Sequence, residues 1–129
     1  MPVKTERVAE TTPSSTSFEL RGTSWRWVEF TSPTESLTVL KPDRYTLAFT
    51  DYDRVALRAD CNRGQAQLTS PARGELRIGP VAMTKALCPP NSLSDRFTQE
   101  VARVVRYAVR GGELYLELAN GSGTMRFIK

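Results

Sequence analysis

The chain has 129 residues, 18 basic and 14 acidic for a net charge of +4, with 40% apolar residues, two cysteines and no histidine. That length suits one domain with a modest core and is short for two. Without histidine there is no Ser-His-Asp or Cys-His nucleophile and no His-bearing zinc site, and two cysteines cannot make an all-thiolate zinc site, which needs four.

Residues 1–17 include Thr11-Thr12-Pro13-Ser14-Ser15-Thr16-Ser17, too polar to bury surface of their own, and are expected to form a flexible Ser/Thr/Pro-rich tether. Phe18-Glu19-Leu20-Arg21-Gly22 opens the folded part, and Ser24 to Phe30 reads as an aromatic strand with Trp25 and Trp27 on one face. The stretch with Pro33 and Pro42 cannot be a central strand. Tyr45, Leu47 and Phe49 alternate with smaller or polar residues, and Asp51-Tyr52-Asp53 turns the chain. Val55, Leu57 and Ala59 then return it as a hairpin. Gln65–Thr69 and Glu75–Ile78 suggest a second hairpin around Ser70-Pro71-Ala72-Arg73-Gly74. Val81–Asn91 reads as an irregular connection.

One helix follows, with Leu93, Phe97, Val101 and Val104 on one face. Its expected start is a capping box of Ser92 and Asp95, with Ser94 as the alternative cap, and its expected end lies near Val105. Tyr107 and Val109 then lead into the turn Gly111-Gly112. Leu114, Leu116 and Leu118 alternate, Asn120-Gly121 makes a further hairpin, and Met125 and Phe127 lie on the last strand. The sum is an α+β, mainly antiparallel β fold. It is a curled sheet or small open barrel of about eight strands, with one helix between the fifth and sixth packed on it.

The cysteines admit two readings. Free thiols pack well in cores. A disulfide between Cys61 and Cys88 would place the chain in an oxidising compartment and, for a loop of about 28 residues, stabilise it by roughly 3.6 kcal/mol. The disulfide is the expectation. The spacing is not the Cys-x-x-Cys of a redox-active pair.

Three elements occur in order: Gly22-Thr23-Ser24-Trp25, then Cys61-Asn62-Arg63-Gly64, then Met83-Thr84 with Cys88 four residues after the threonine. Together they resemble the META domain, the HslJ-like family of bacterial envelope proteins, over residues 18–129. Asp60 departs from that pattern, which often has Gly or another small residue there. The resemblance implies an exported, often lipidated, β-rich domain in the periplasm or on the outer membrane. It also implies no shared enzymatic activity and a link to envelope stress tolerance, including resistance to novobiocin. The start Met1-Pro2-Val3-Lys4-Thr5-Glu6 lacks the apolar core of an export signal. The chain is therefore either cytosolic or begins downstream of a removed signal, and the cysteines favour the second.

Of the motif residues, Gly22, Trp25, Asn62, Gly64, Met83 and Thr84 are given structural roles. Asn62 would adopt the left-handed turn conformation and bond its own backbone, Gly64 would supply positive φ, and Thr84 would bond backbone across the disulfide loop. Tyr52, at a hairpin tip, and Tyr115, opposite the Leu114/Leu116 face, are the candidate partner surface. Asp51 and Asp53 match no calcium loop.

No catalytic set, cofactor or metal is expected, and the scattered basic residues argue against a nucleic-acid partner. No run of about 18 apolar residues exists, so membrane association would need an N-terminal anchor. The expected function is a non-enzymatic, monomeric envelope domain that binds an envelope protein or small ligand. The alternative is a small secreted inhibitor of a hydrolase such as a protease or lysozyme.

Overall fold

The computed structural model describes residues 19–51 and 53–129; the tether at 1–17, Phe18 and Tyr52 lie outside the described residues. Among the described residues ten strands form: β1 (Ser24–Thr31), β2 (Ser36–Thr38), β3 (Tyr45–Asp51), β4 (Arg54–Ala59), β5 (Asn62–Thr69), β6 (Arg77–Ile78), β7 (Ala82–Met83), β8 (Val104–Arg110), β9 (Glu113–Leu118) and β10 (Thr124–Ile128). Eight of them run side by side in the order β6-β5-β4-β3-β1-β10-β9-β8, every pair antiparallel. The short strands β2 and β7 attach to β1 and β5. The helix α1 (Ser94–Val101) falls between the fifth and sixth strands of the eight-strand path in chain order.

The two ends of this sheet nearly meet. Leu76 N–H donates to the Val105 carbonyl (3.1 Å) and Tyr107 N–H to the Gly74 carbonyl (3.0 Å), around a bridge between Glu75 and Arg106. Glu75 therefore does not extend the β5–β6 hairpin as expected; its backbone faces β8 and helps to close the sheet into a barrel. Closure leaves fewer unpaired edges exposed to other chains.

Period-two alternation explains which side chains fill the barrel. Leu47 and Phe49, Val55 and Leu57, Leu114 and Leu116, and Met125 and Phe127 all point inward and are buried. In β1 a bulge between Trp27 and Glu29 resets the alternation, so that Trp25, Trp27 and Phe30 all face the core. Gly111 and Gly112 carry positive φ (59° and 77°), the pair that a two-residue β8–β9 turn requires.

The helix lies against this inner surface. Phe97, fully buried, stacks on Trp27 with 5.1 Å between ring centroids and meets Tyr45 edge-on at 5.8 Å. The helix is shorter than its apolar face suggests. It ends at Val101, and Val104 belongs to β8. Val104 is buried either way, since its position satisfies both the helical spacing and the inward register of the strand. The β-branched pair Val104-Val105 favours the strand. The expected capping box does not form: Ser92 Oγ accepts from Ser94 N–H (3.0 Å), and no side chain caps from Leu93, the residue before the helix.

Candidate functional site

The site is built where the β4–β5 turn, the segment 82–93 and the first turn of α1 converge. Cys61 and Cys88 are disulfide-bonded, with Cα atoms 5.6 Å apart. The turn before Cys61 needs one residue in the left-handed conformation, and that residue is Asp60 (φ 59°). This accounts for the small residues expected there, because Gly adopts such a φ freely and Asp tolerates it. The Asp60 carboxylate is buried and faces Arg44 at 3.4 Å, while its backbone carbonyl accepts from Arg58 Nε at 3.2 Å.

Asn62 and Gly64 do other work than the sequence suggested. Neither has positive φ, and both lie in β5. Asn62 is buried and pins the disulfide loop. Its Oδ1 accepts from Ala86 N–H (2.7 Å) and Thr84 Oγ1 (2.8 Å). Its Nδ2 donates to the Ala86 carbonyl (3.0 Å) and lies within reach of Ser94 Oγ (3.3 Å) and Cys88 Sγ (3.4 Å). The Ala86 backbone fixes which end of the amide is which. Gly64 pairs with Met83 in the β5–β7 ladder, and a Cβ there would strike the Ala82 carbonyl oxygen and Met83 sulfur. The glycine is needed for close approach of two backbones. Thr84 Oγ1 accepts from Arg63 N–H (3.0 Å), and Thr84 N–H donates to the Arg63 carbonyl (2.9 Å).

Two hollows flank this loop. One, of about 430 Å³, lies between the loop and the first turns of α1, with Asn62, Met83, Leu87, Ser94 and Thr98 on its walls. The other is a groove of about 480 Å³ walled by Leu37, Leu40, Tyr45, Pro89, Pro90 and Leu93, with Arg44 and Asp60 also lining it. Leu40 and Leu87 are 88% and 100% exposed, far more than any other large apolar side chain among the described residues. Each has a lysine beside it or two residues away, Lys41 and Lys85, both exposed.

The META domain model matches residues 18–129. The chain belongs to the META domain family. A protein from Burkholderia xenovorans solved by NMR has a similar fold, with a TM-score of 0.72 at 20% identity, covering 96% of this chain and 93% of that one. A DUF4847 family protein from Bacteroides vulgatus, solved by crystallography, aligns with a TM-score of 0.63 at 10% identity, covering 84% and 93%. At such identities the likeness concerns the fold. No curated protein matches the chain.

The other motif residues of this META domain sit away from the clasp. Gly22 has φ 80° and donates its N–H to the Phe49 carbonyl (2.6 Å) at the entry to β1. Trp25 is buried, its Nε1 donating to Thr23 Oγ1 (2.7 Å), with Lys129 Nζ 5.3 Å from the ring centroid. Tyr115 is half-buried on β9, under the Arg110 guanidinium (4.3 Å), and its hydroxyl donates to Glu113 (3.1 Å). Its ring and hydroxyl are thus both engaged within the domain, and β9 is not a neighbour of β5. Tyr52 lies outside the described residues.

A second charged cluster anchors α1. Arg96 forks onto both Glu35 oxygens (2.6 and 2.8 Å), bonds Glu100 (2.9 Å) and lies over the Phe30 ring. The hydrogen bond from Arg96 holds the Glu35 carboxyl below its ordinary value. Burial pushes the Glu100 carboxyl up despite the same arginine, and Glu100 Oε1 is buried without a hydrogen-bond partner. Among the described residues, no three His, Cys, Asp or Glu side chains gather as a metal site would require, and no helix is long and apolar enough to cross a membrane.

Proposed function

We propose that this META domain works in the cell envelope by binding rather than by catalysis. On this reading the disulfide end grips an extended segment of a partner protein that carries apolar side chains and an acidic flank. The exposure of Leu40 on the Pro89-Pro90 groove and of Leu87 on the neighbouring hollow carries the reading. Exposed apolar side chains that border concave apolar surface are a feature of interaction sites. Lys41 and Lys85 beside them suit an acidic partner. The disulfide supports an oxidising compartment, and hence export.

A photo-reactive amino acid placed in turn at Leu40, Leu87 and, as a control, Val109 tests the reading in the exporting cell. The expected result is one protein crosslinked at the first two sites, through a peptide that is apolar with acidic neighbours. Equal labelling from Val109, or none from Leu40 and Leu87, would overturn it. In the cell, loss of the protein is expected to sensitise the envelope to stress. Wild-type protein should restore tolerance, and a Leu40→Asp, Leu87→Asp double variant should not.

Leu87 also favours a narrower reading in which the partner is a hydrolase and the chain its inhibitor. A fully exposed apolar side chain on a braced loop loses little entropy on entering a cleft. An inhibition panel of proteases and lysozymes decides this, and unchanged activity throughout removes the hydrolase.

A further inference from the structure

The Cys61–Cys88 bond is not symmetric in its surroundings. Cys61 is exposed and Cys88 half-buried. Cys88 Sγ accepts from two donors, the Cys61 backbone N–H at 3.3 Å and Asn62 Nδ2 at 3.4 Å. Cys61 Sγ has no such donor among the described residues. The Ala86 carbonyl oxygen lies 3.8 Å from one sulfur and 4.0 Å from the other, so it discriminates little between them. Hydrogen-bond donors aimed at a sulfur favour its thiolate, and the sulfur that better carries negative charge leaves faster in thiol–disulfide exchange. Access and leaving-group stability thus point the same way.

We propose that the clasp exchanges with external thiols in one direction: Cys61 is the sulfur that is attacked and becomes the site of S-thiolation, and Cys88 departs as the thiolate. An attacking low-molecular-weight thiolate such as glutathione forms a bond to Cys61 Sγ as the Cys61–Cys88 bond breaks. The electron pair of the broken bond stays on Cys88 Sγ, where the Cys61 N–H and Asn62 amide receive it. A second thiolate then attacks the glutathione sulfur of the mixed disulfide, releasing Cys61 thiolate and oxidised glutathione. Two thiols are oxidised and one cystine is reduced. Read backwards, the same steps close the clasp, with Cys88 attacking a mixed disulfide on Cys61. The proposal stands independently of what the groove binds.

Oxidised full-length protein, folded in buffer, is exposed to graded reduced glutathione, quenched in acid, blocked with N-ethylmaleimide and peptide-mapped. The expected partly reduced species carries glutathione on Cys61 and maleimide on Cys88, at about fivefold or more over the inverse. Equal amounts, an excess of glutathione on Cys88, or no mixed disulfide at excess glutathione overturns the proposal. A second measurement needs no exchange partner. In Cys61→Ser the remaining Cys88 should alkylate with iodoacetamide at lower pH than Cys61 does in Cys88→Ser. The opposite order, or identical profiles, counts against the assigned polarity.

Discussion

Replacing Asn62 separates two accounts of the motif. If Asn62 served a left-handed turn, Asn62→Gly would keep or raise stability, because glycine meets such a φ without strain. As the pin of the disulfide loop, it should lose stability to Gly and Ala alike. Three of its hydrogen bonds are short: its Oδ1 accepts from Ala86 N–H (2.7 Å) and from Thr84 Oγ1 (2.8 Å), and its Nδ2 donates to the Ala86 carbonyl (3.0 Å). Each contributes about 0.5–1.5 kcal/mol net. Ala86 and Thr84 are exposed, so water can take over part of what is lost. The expected loss is therefore about 2–4 kcal/mol, with Asn62→Gly at least as damaging as Asn62→Ala. Urea unfolding followed by the fluorescence of Trp25 and Trp27, with the disulfide intact, reads it directly. With a slope of about 1–3 kcal/mol/M the midpoint falls by roughly 0.7–4 M. An Asn62→Gly midpoint equal to wild type would refute the pinning role.

Three further outcomes follow from the same geometry. Gly64→Ala should cost about 1–3 kcal/mol and displace β7, seen as shifted amide resonances at Ala82–Thr84; a loss below about 0.5 kcal/mol refutes the close-approach account. Asp60→Gly should be nearly neutral in urea unfolding, since relief of the left-handed strain offsets the lost contact with Arg44, whereas Asp60→Ala should lose about 1–2 kcal/mol; equal effects refute the conformational argument. Burial raises the Glu100 carboxyl above its ordinary 4.5, so its contribution to stability is fully present below that value and is lost as pH rises through the folded-state pKa. Glu100→Gln should therefore gain on wild type in thermal melts as pH rises from about 4 to about 7. Glu35 works in the opposite sense but is present in both proteins. A gap that shrinks with rising pH refutes the reading.

Alternation along single strands made the barrel legible. Leu47, Phe49, Leu114 and Leu116 announce their faces with no knowledge of their neighbours, and Gly111-Gly112 announces its turn. The cysteines and their spaced companions pointed to the family, and the family model matching residues 18–129 shows it. What stayed hidden depends on contacts distant in sequence. The role of Asn62 is defined by Thr84, Ala86 and Ser94, between 22 and 32 residues away, and local propensity offered only a turn. Gly64 is explained by Met83, which no periodicity connects to it. Val104 satisfies two periods at once, so its spacing extends the expected helix beyond Val101, where the helix ends. Leu40 and Leu87 lie in irregular segments with no alternation against which an exposed leucine would look out of place.

The loop from Thr84 to Leu93 is held at several independent points. Thr84 is laddered to Arg63, Ala86 is gripped on both sides of its peptide by Asn62, Cys88 is bonded to Cys61, and Leu93 N–H donates to the Tyr45 hydroxyl (2.8 Å). Tyr45 in turn packs on Phe97 in the core, so the loop is tied to the barrel through more than its disulfide. This redundancy matters for the exchange chemistry. Opening the Cys61–Cys88 bond removes a constraint of roughly 3.6 kcal/mol by chain-entropy arithmetic, less than the ~5–15 kcal/mol margin of an ordinary domain. The hydrogen bonds at Ala86 and Leu93 do not run through the disulfide. The segment expected to loosen first is therefore Leu87 to Asn91, which carries the exposed leucine and the two prolines of the groove wall. Thiol exchange at Cys61 would loosen the binding rim while leaving the barrel folded, so the clasp can be chemically reversible and still serve as part of a scaffold.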